Sequence, residues 1–338
     1  MYFLYWASIG YISNPENLKD IYSALEIMAK HNTVKSREGS SVTIRSLKID
    51  PTFMSAIYDY SFLNKTSKRI THNDEDCYRL DPKCPGVCLI INQESFYTEP
   101  DSRWKDLLPG PEKTLDERIG TNVDRDKLEK TFKKLGFKVE IRNNLTHFEV
   151  VPTIEDVISQ VPKDSSFIVC ILSHGLEGKI YGVNSIPIEV KEIREAMCKY
   201  NVNLNGQPKV LILQSCQGDD CQQVPNEDTQ ENDGGQGLQI DGYPSTTSVI
   251  PLTVDMHVFW ATVPGFSALR DKIEGSWFIQ SLCQKIEEKA ERMHYQEICT
   301  MVIKDILMNK QWPTEKGVRK MVPLEESTLS KLFYLSSD

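Results

Sequence analysis

The chain has 338 residues, a formal net charge of −9 at neutral pH and nine cysteines. Nucleic acid and anionic membranes both call for basic surfaces, so we expect neither as its main partner. The cysteines are odd in number and scattered, which is typical of reduced, cytoplasmic usage and not of a disulfide framework. No spacing of cysteine with histidine indicates a zinc site, and no motif indicates a metal, a nucleotide or an organic cofactor.

The first 63 residues are predicted to form a small helical segment. Residues 13–31 and 50–63 each begin with a capping residue followed by proline, and each carries apolar residues at helical spacing. The apolar start, 1–12, lacks a basic region and is too short to cross a bilayer, so we expect no signal peptide and no span there. Residues 64–83 are polar without helical periodicity and predict a linker.

From residue 84 onwards, short apolar runs alternate with amphipathic segments. This alternation predicts an α/β domain with a mostly parallel central sheet and helices on both faces. In chain order we predict a strand at 86–92, a helix at 124–137, a strand at 138–144, a helix at 154–161, a strand at 167–172, a helix at 189–200, a strand at 209–213, a strand entering a turn at 256–265, helices at 275–292 and 295–309, and an extended stretch at 321–335.

The alternation is interrupted at residues 217–247. This segment is rich in Asp, Glu, Gln, Asn and Gly and nearly devoid of apolar residues, so it cannot bury enough surface to order itself. An unstructured stretch of this length within a compact domain is usually a functional or processed segment. We therefore expect it to link two regions of one domain, 84–216 and 248–338.

Two of the predicted strands end in residues suited to nucleophilic catalysis. Cys216 follows the apolar run of VLILQSCQG, and His174 follows that of FIVCILSHG. The carboxyl ends of parallel strands meet at one edge of a sheet, where ligands bind. An imidazole beside a thiol can take its proton and later protonate a leaving amine. Taken singly, such a cysteine is more often a core residue.

The sequence QSCQG at 214–218, with a histidine 216 − 174 = 42 positions before its cysteine, resembles the signature of the caspases. The resemblance runs from about Tyr78 to the C-terminus. It implies a caspase-like three-layer sandwich, with a large-subunit region at 84–216 and a small-subunit region at 248–338. It also implies that the backbones of Gly175 and Cys216 stabilise the oxyanion, and that the backbone carbonyl of Asp116 orients the imidazole.

The resemblance also implies a specificity pocket. Arg118, in the pattern Arg-x-Gly-Thr, matches a pocket arginine of caspases, as does Arg270, and Gln214 matches their pocket amide. Two guanidiniums and an amide suit a short carboxylate, so the substrate residue before the cut should be Asp. Ala268 and Leu269 stand where many caspases carry a serine and an aromatic residue. Looser selection at the second subsite and an apolar preference further upstream are therefore expected. A lone arginine would more often be a solvated surface charge.

The C-terminal segment, 320–338, together with CILSHGLEGKIYG, resembles initiator caspases of the caspase-8 type, including their insect counterpart Dredd. The branch implies a zymogen that is activated by proximity-induced dimerisation and acts in apoptosis or innate immune signalling. Residues 1–63 are then a remnant of a death-effector domain that binds a death-domain-type adaptor, or helices that pack on the catalytic domain. Two catalytic units are expected to pair through residues 321–329 as a homodimer.

Several aspartates are candidate processing sites. Asp241 fits best, because Gly242 follows it and the apolar Leu238 precedes it, and its cleavage would separate the two halves of the site. Asp220, Asp228 and Asp233 are weaker candidates in the same linker, and cleavage at Asp74 or Asp76 would release the N-terminal segment.

Two other functions remain open at this level. The chain could be a catalytically weak scaffold that heterodimerises with an active caspase, although such homologues typically lose the thiol or the histidine. Metacaspases and paracaspases share the thiol and imidazole but cut after Arg or Lys, which calls for an acidic pocket; Arg118 and Arg270 argue against it.

Overall fold

The computed structural model describes residues 74–110, 114–199, 202–218, 222–224, 254–314 and 317–336. All of them belong to the second of two units, Ser67–Asp338. The helices predicted at 13–31 and 50–63 lie outside the described residues, as do the candidate processing sites Asp220, Asp228, Asp233 and Asp241.

The predicted strands are all present, together with short strands that the sequence did not indicate. In chain order they are β1 (Gly86–Asn92), β2 (Lys138–Asn143), β3 (Ser166–Leu172), β4 (Gly175–Leu176), β5 (Lys179–Tyr181), β6 (Pro187–Glu189), β7 (Lys209–Gln214), β8 (Gln222–Val224), β9 (Met256–Trp260), β10 (Arg270–Asp271), β11 (Gly275–Ser276), β12 (Trp312–Thr314), β13 (Gly317–Lys320) and β14 (Leu324–Ser327).

Six of these strands form the central sheet, in the order β14-β9-β7-β3-β1-β2. The pairs from β9 to β2 are parallel, and β14 is antiparallel beside β9. Strands β1, β3, β7 and β9 are buried along their whole length, because a parallel sheet is covered on both faces and selects continuous apolar runs. The predicted mostly parallel sheet is confirmed.

Five helices cover the two faces of the sheet. They are α1 (Thr121–Lys134), α2 (His147–Ser159), α3 (Val190–Lys199), α4 (Trp277–Lys289) and α5 (Tyr295–Asn309). Helices α1, α4 and α5 contribute to one apolar cluster, and α2 and α3 contribute to a second cluster on the opposite face. The predicted three-layer α/β sandwich is therefore confirmed. Among the described residues, no helix is long and apolar enough to span a bilayer.

Helix α2 begins seven residues before its predicted start at 154. Thr146 and Glu149 form a capping box, in which the threonine side chain accepts from the backbone of Glu149 and the glutamate accepts from the backbone of Thr146. Pro152 lies inside the helix, where it forgoes one backbone hydrogen bond. The predicted start at 154 was therefore too late.

The second half of the predicted linker, 64–83, packs on the domain. The Tyr78 backbone donates to the Leu332 carbonyl (3.1 Å), and the Tyr78 hydroxyl donates to the Asp255 carboxylate (2.6 Å). Burial, and then the hydrogen bond to Asp255, raise the pKa of Tyr78 to about 12. The packed domain thus begins upstream of residue 84, because Tyr78 supplies an apolar ring that the segment's polar composition conceals.

Candidate active site

The ends of β3 and β7 bring His174 and Cys216 to one edge of the sheet. Leu172 and Gln214 are paired in register, and each catalytic candidate follows its strand by two residues. Gly175 allows the close approach of the two segments, since a Cβ there would lie 2.8 Å from the Cys216 carbonyl oxygen. Any larger residue at this position would push the histidine and the cysteine apart.

The half-buried Cys216 thiol contacts the segment that follows β9. The Ala268 backbone N–H donates to Cys216 Sγ at 3.3 Å. Two further backbone hydrogen bonds join the same segments, from Gln217 to the Phe266 carbonyl (2.9 Å) and from Gly265 to the Gln217 carbonyl (2.7 Å). The turn that carries the thiol is therefore held by residues 265–268, which follow the 217–247 segment in the chain.

The His174 imidazole has a defined orientation. Its Nε2 lies 2.8 Å from the backbone carbonyl oxygen of Asp116, the residue named from the sequence for this contact. A carbonyl can only accept, so Nε2 carries the proton and Nδ1 is the free base in the neutral ring. The ring also packs edge-on against Phe96, with centroids 4.9 Å apart. The orientation therefore presents an unprotonated nitrogen to a reacting group.

The charge state of His174 is set by its surroundings. Burial lowers the pKa of His174 to about 4, and the positive charges of Arg118 and Arg270 act in the same direction, while the Asp116 carbonyl opposes them. The imidazole is therefore neutral at physiological pH and able to act as a base.

Arg118 is buried close to this pair. The residue is only 3% exposed. Its Nη1 donates to the Gln93 carbonyl (3.0 Å) and to the Thr121 hydroxyl (2.6 Å). Burial, and then the charge of Arg270, lower the pKa of Arg118 to about 9. A buried guanidinium beside a second cation is an arrangement that an incoming anion would stabilise.

Arg270 and Gln214 complete the group. Arg270 is half-buried in β10 and its Nε donates to the Ile119 carbonyl at 3.4 Å. Burial lowers the pKa of Arg270 as well. Gln214 is 2% exposed at the end of β7, and its side-chain oxygen has no hydrogen-bond partner. The two guanidiniums and the amide thus lie at the same edge of the sheet as the thiol and the imidazole.

These positions fall within a recognised family pattern. A model of the caspase domain matches residues 85–334 of the chain. The chain belongs to the caspase family.

Several caspases are similar to the chain along most of its length. It is 36% identical to "Caspase-8" of Drosophila pseudoobscura pseudoobscura over 69% of this chain and 42% of the relative. It is 33% identical to "Caspase-8" of Drosophila melanogaster over 77% and 49%. The chain therefore spans about half the length of these two relatives. It is 32% identical to "Caspase-3" of Oryctolagus cuniculus over 77% of this chain and 87% of the relative.

A solved caspase shares the fold. The crystal structure of caspase-1 from Spodoptera frugiperda superposes with a TM-score of 0.62 and 26% sequence identity, covering 80% of this chain and 99% of that one. The described sandwich is accordingly the caspase fold.

In this caspase chain, Asp124 belongs to the site although the sequence did not single it out. It is fully buried in the first turns of α1 and accepts from the Ser276 N–H (2.9 Å) and the Gln280 amide (2.8 Å). Burial raises its pKa, and the Arg118 charge opposes that shift. One signal was available: Asp124 lies four residues before Leu128, on the apolar face of the helix.

Ala268 and Leu269 lie between the thiol and Arg270. Both are half-buried, and the Leu269 N–H donates to Met321 Sδ at 3.2 Å. Asp76, one of the candidates for processing, is exposed in a short 3-10 turn, Asp74–Asp76. The structure therefore places all nine predicted catalytic and substrate-binding residues at one edge of the sheet and leaves Asp76 at the surface.

Proposed function

We propose that this caspase chain is a cysteine endopeptidase that cleaves peptide bonds after Asp. The observation that carries the proposal is the convergence of a thiol and imidazole with two partly desolvated guanidiniums at one edge of the sheet. The first pair supplies the chemistry of acyl transfer, and the second supplies recognition of a carboxylate.

The arrangement supports the following reaction. Nδ1 of His174 takes the proton of the Cys216 thiol, and the thiolate attacks the carbonyl carbon of the substrate. The backbone N–H groups of Gly175 and Cys216 stabilise the resulting oxyanion. The C–N bond then breaks as the imidazolium gives its proton to the leaving amine. Water, deprotonated by the same imidazole, hydrolyses the thioester and releases the acid product.

The pocket residues explain the choice of Asp. A substrate carboxylate would accept charge-assisted hydrogen bonds from Arg118 and Arg270 and one from the Gln214 amide. Its negative charge would also offset part of the positive charge of the two guanidiniums, whose pKa burial has lowered. A lysine or arginine side chain would meet the same charges with repulsion. Asp before the cut is therefore favoured by both hydrogen bonding and charge.

The proposal that the chain is a zymogen rests on the segment that connects the two halves of the site. Cys216 precedes the 217–247 segment and Arg270 follows it, and backbone hydrogen bonds of Gln217 with Phe266 and Gly265 join the start of the segment to the later region. Cleavage after Asp241 would remove the covalent restraint while leaving those bonds in place. Asp233 and Asp76 remain secondary candidates.

Dimerisation is proposed through β14, which lies at the edge of the described sheet. The carboxylates that interrupt this strand are both paired within the chain, Glu325 with His257 (2.9 Å) and Glu326 with Arg194 (2.9 Å). Both carboxylates therefore have hydrogen-bonding partners within the chain, and the outer backbone of β14 suits pairing with a second copy of the chain.

The branch and setting of the protease are proposed from similarity. Likeness to Drosophila proteins named caspase-8 supports an initiator role in apoptosis or innate immune signalling. The eight described cysteines are free, which supports a cytoplasmic location. Recruitment of residues 1–63 by a death-domain-type adaptor stays a prediction.

Release of a fluorophore from two peptides tests the proposal. One is Leu-Gln-Ile-Asp, the sequence that ends at Asp241, and the other is the same peptide ending in Lys. The protein is assayed in reducing buffer with a kosmotropic salt that favours association. We expect turnover of the Asp peptide alone, lost by more than about 1,000-fold in Cys216→Ala and His174→Ala. No turnover by a confirmed dimer would instead support a regulatory scaffold.

A further inference from the structure

A second cluster of reactive side chains lies at the opposite end of the sheet from the proposed active site. His257 in β9, Cys299 in α5 and Glu325 in β14 have ligand atoms that all lie within 4.8 Å of one another. His257 is level with Val210 at the start of β7. Six residues of strand and turn separate Val210 from Cys216, which corresponds to about 20 Å. The cluster is therefore distinct from the thiol and imidazole of the active site.

The sheet register explains why three distant residues meet. His257 and Phe259 alternate onto the same face of β9, and Phe259 belongs to the apolar cluster that α4 and α5 cover. Glu325 is paired with Phe259 across the antiparallel ladder, so its side chain points to that face as well. Cys299 projects from the buried side of α5. Three elements thus deliver one nitrogen, one sulfur and one carboxylate to a single place.

The cluster contains a buried nitrogen that its protein neighbours do not satisfy. His257 Nε2 lies 2.9 Å from the Glu325 carboxylate, while its Nδ1 is buried without a hydrogen-bond partner. Whichever nitrogen carries the proton, the imidazole therefore keeps one unsatisfied atom. The Tyr295 ring packs edge-on against the imidazole at 4.9 Å, and its buried hydroxyl interacts with the Cys299 thiol. Because Glu325 lies at Nε2, an ion shared by the histidine and the carboxylate would bind this nitrogen in place of the proton, and Nδ1 would carry the hydrogen.

The donor set matches zinc. Zn²⁺ binds imidazole nitrogen, thiolate sulfur and carboxylate oxygen, whereas Ca²⁺ and Mg²⁺ prefer sites built from oxygen. The three side chains would contribute one thiolate and one carboxylate, which balance the two positive charges of the ion. His257 and Cys299 are fully buried and the Glu325 side chain is only 20% exposed, so a neutral complex avoids leaving a net charge in the core.

We propose that His257, Cys299 and Glu325 bind a Zn²⁺ ion that fastens the edge strand β14 to β9 and α5. On binding, the Cys299 thiol loses its proton to solvent and the sulfur forms a bond to the metal. The ion joins the β14 edge, through which dimerisation is proposed, to the helix layer behind it. The proposed peptidase reaction does not involve this metal site.

Cobalt binding to the full chain carrying Cys216→Ala tests the site. The background substitution removes the Cys216 thiol of the proposed active site, which could otherwise bind metal together with His174, and it makes the result independent of proteolysis. We expect one equivalent of Co²⁺ to produce a thiolate-to-metal charge-transfer band that Zn²⁺ abolishes. Zn²⁺ should also raise the melting temperature of this protein.

Matched variants locate the bound metal. Cys299→Ser and Glu325→Gln should each weaken binding by more than about 100-fold, since removal of a direct ligand exceeds the loss of an outer hydrogen bond. Cys84→Ser removes a half-exposed thiol, and Glu326→Gln removes the adjacent carboxylate on the other face of β14; both should leave binding unchanged.

Three results would overturn the site. They are no binding of Co²⁺ or Zn²⁺ by the Cys216→Ala chain, a band that survives Cys299→Ser, and binding that depends on Cys84 instead. If Cys299→Ser fails to fold, the Glu325→Gln affinity decides, because that side chain lies at the edge of the sheet. Unchanged affinity there would leave His257 and Glu325 as an ordinary buried hydrogen-bonded pair.

Discussion

The two walls of the proposed aspartate pocket are built differently. Arg118, which precedes Cys216 in the chain, is buried and donates to the Gln93 carbonyl and the Thr121 hydroxyl. Arg270, which follows the 217–247 segment, is half-buried and donates a long 3.4 Å bond to a backbone carbonyl. The first wall is fixed by contacts within its own region. The second depends on how the later region is held against the first.

The difference between the two walls indicates which part of the site must be completed by activation. The register of β3 and β7 positions His174 and Cys216, and both strands precede the 217–247 segment in the chain. The position of Arg270 depends on the β10–β11 hairpin, which contacts the earlier region through Asp124 and Ser276. The turn that carries Cys216 is also bonded to residues 265–268 of the later region, so we expect dimerisation and cleavage to affect the thiol as well as recognition of the substrate.

Lysine substitutions of Arg118 and Arg270 should show how the two walls of the pocket differ. Each removes the planar fork while keeping the charge, so kcat/KM for the Asp peptide should fall at least about 30-fold, the equivalent of about 2 kcal/mol. Arg118→Lys should also lower the melting temperature, because it loses two buried hydrogen bonds, whereas Arg270→Lys should leave it unchanged. Steady-state kinetics and calorimetry measure both. A loss below threefold for Arg270→Lys would exclude it from the pocket.

Substitution of Asp124 by Asn tests the contact that holds the second wall. The change removes the charge that accepts from Ser276 and Gln280, so unfolding should become easier by about 1–3 kcal/mol. Displacement of the hairpin should reduce kcat/KM about tenfold, mainly through KM. Asp126→Asn is the control, since Asp126 is exposed on the same helix. Equal behaviour of the two variants would show that the hairpin needs no anchor at this point.

The pH profile reports the effect of both walls on His174. Its pKa is lowered from its ordinary 6.5 to about 4, so the base form needed for catalysis persists below pH 6. We expect the acidic limb of kcat/KM well below 6.5. Stability should decline as pH falls from about 6.5 toward about 4, because the unfolded chain binds the proton first. An acidic limb at 6.5 would mean that burial and the arginines leave the imidazole unperturbed.

The smallest effect is expected at the second subsite. Leu269 offers a half-buried aliphatic surface there, so a peptide library should show weak selection two residues before the cut and an apolar preference at the fourth. Leu269→Tyr should sharpen the second position by roughly fivefold, below the discrimination of a closed pocket. A strict demand for an acidic residue at the fourth position would contradict this account.

The sequence was sufficient where local pattern and topology decide the outcome. Apolar runs predicted the buried strands, and parallel alternation predicted that Cys216 and His174 share an edge. The positions of Arg118 and Arg270 came from resemblance, because an arginine carries no local sign of burial. Side-chain contacts between residues that are far apart in the sequence could not be predicted in this way. The contact of Asp124 with Ser276 spans 152 positions, and the three side chains at His257 come from separate elements.

Covalent labelling by a Leu-Gln-Ile-Asp chloromethyl ketone shows whether Cys216 is the nucleophile of an aspartate-specific protease. Attack of a thiolate on the reagent forms a thioether and releases chloride, and peptide mapping by mass spectrometry then locates the adduct among nine cysteines. We expect stoichiometric labelling of Cys216 alone, greatly slowed in His174→Ala and absent with the reagent ending in Lys. Equal labelling by both reagents, or labelling of other cysteines with Cys216 untouched, would contradict an aspartate-specific thiol protease.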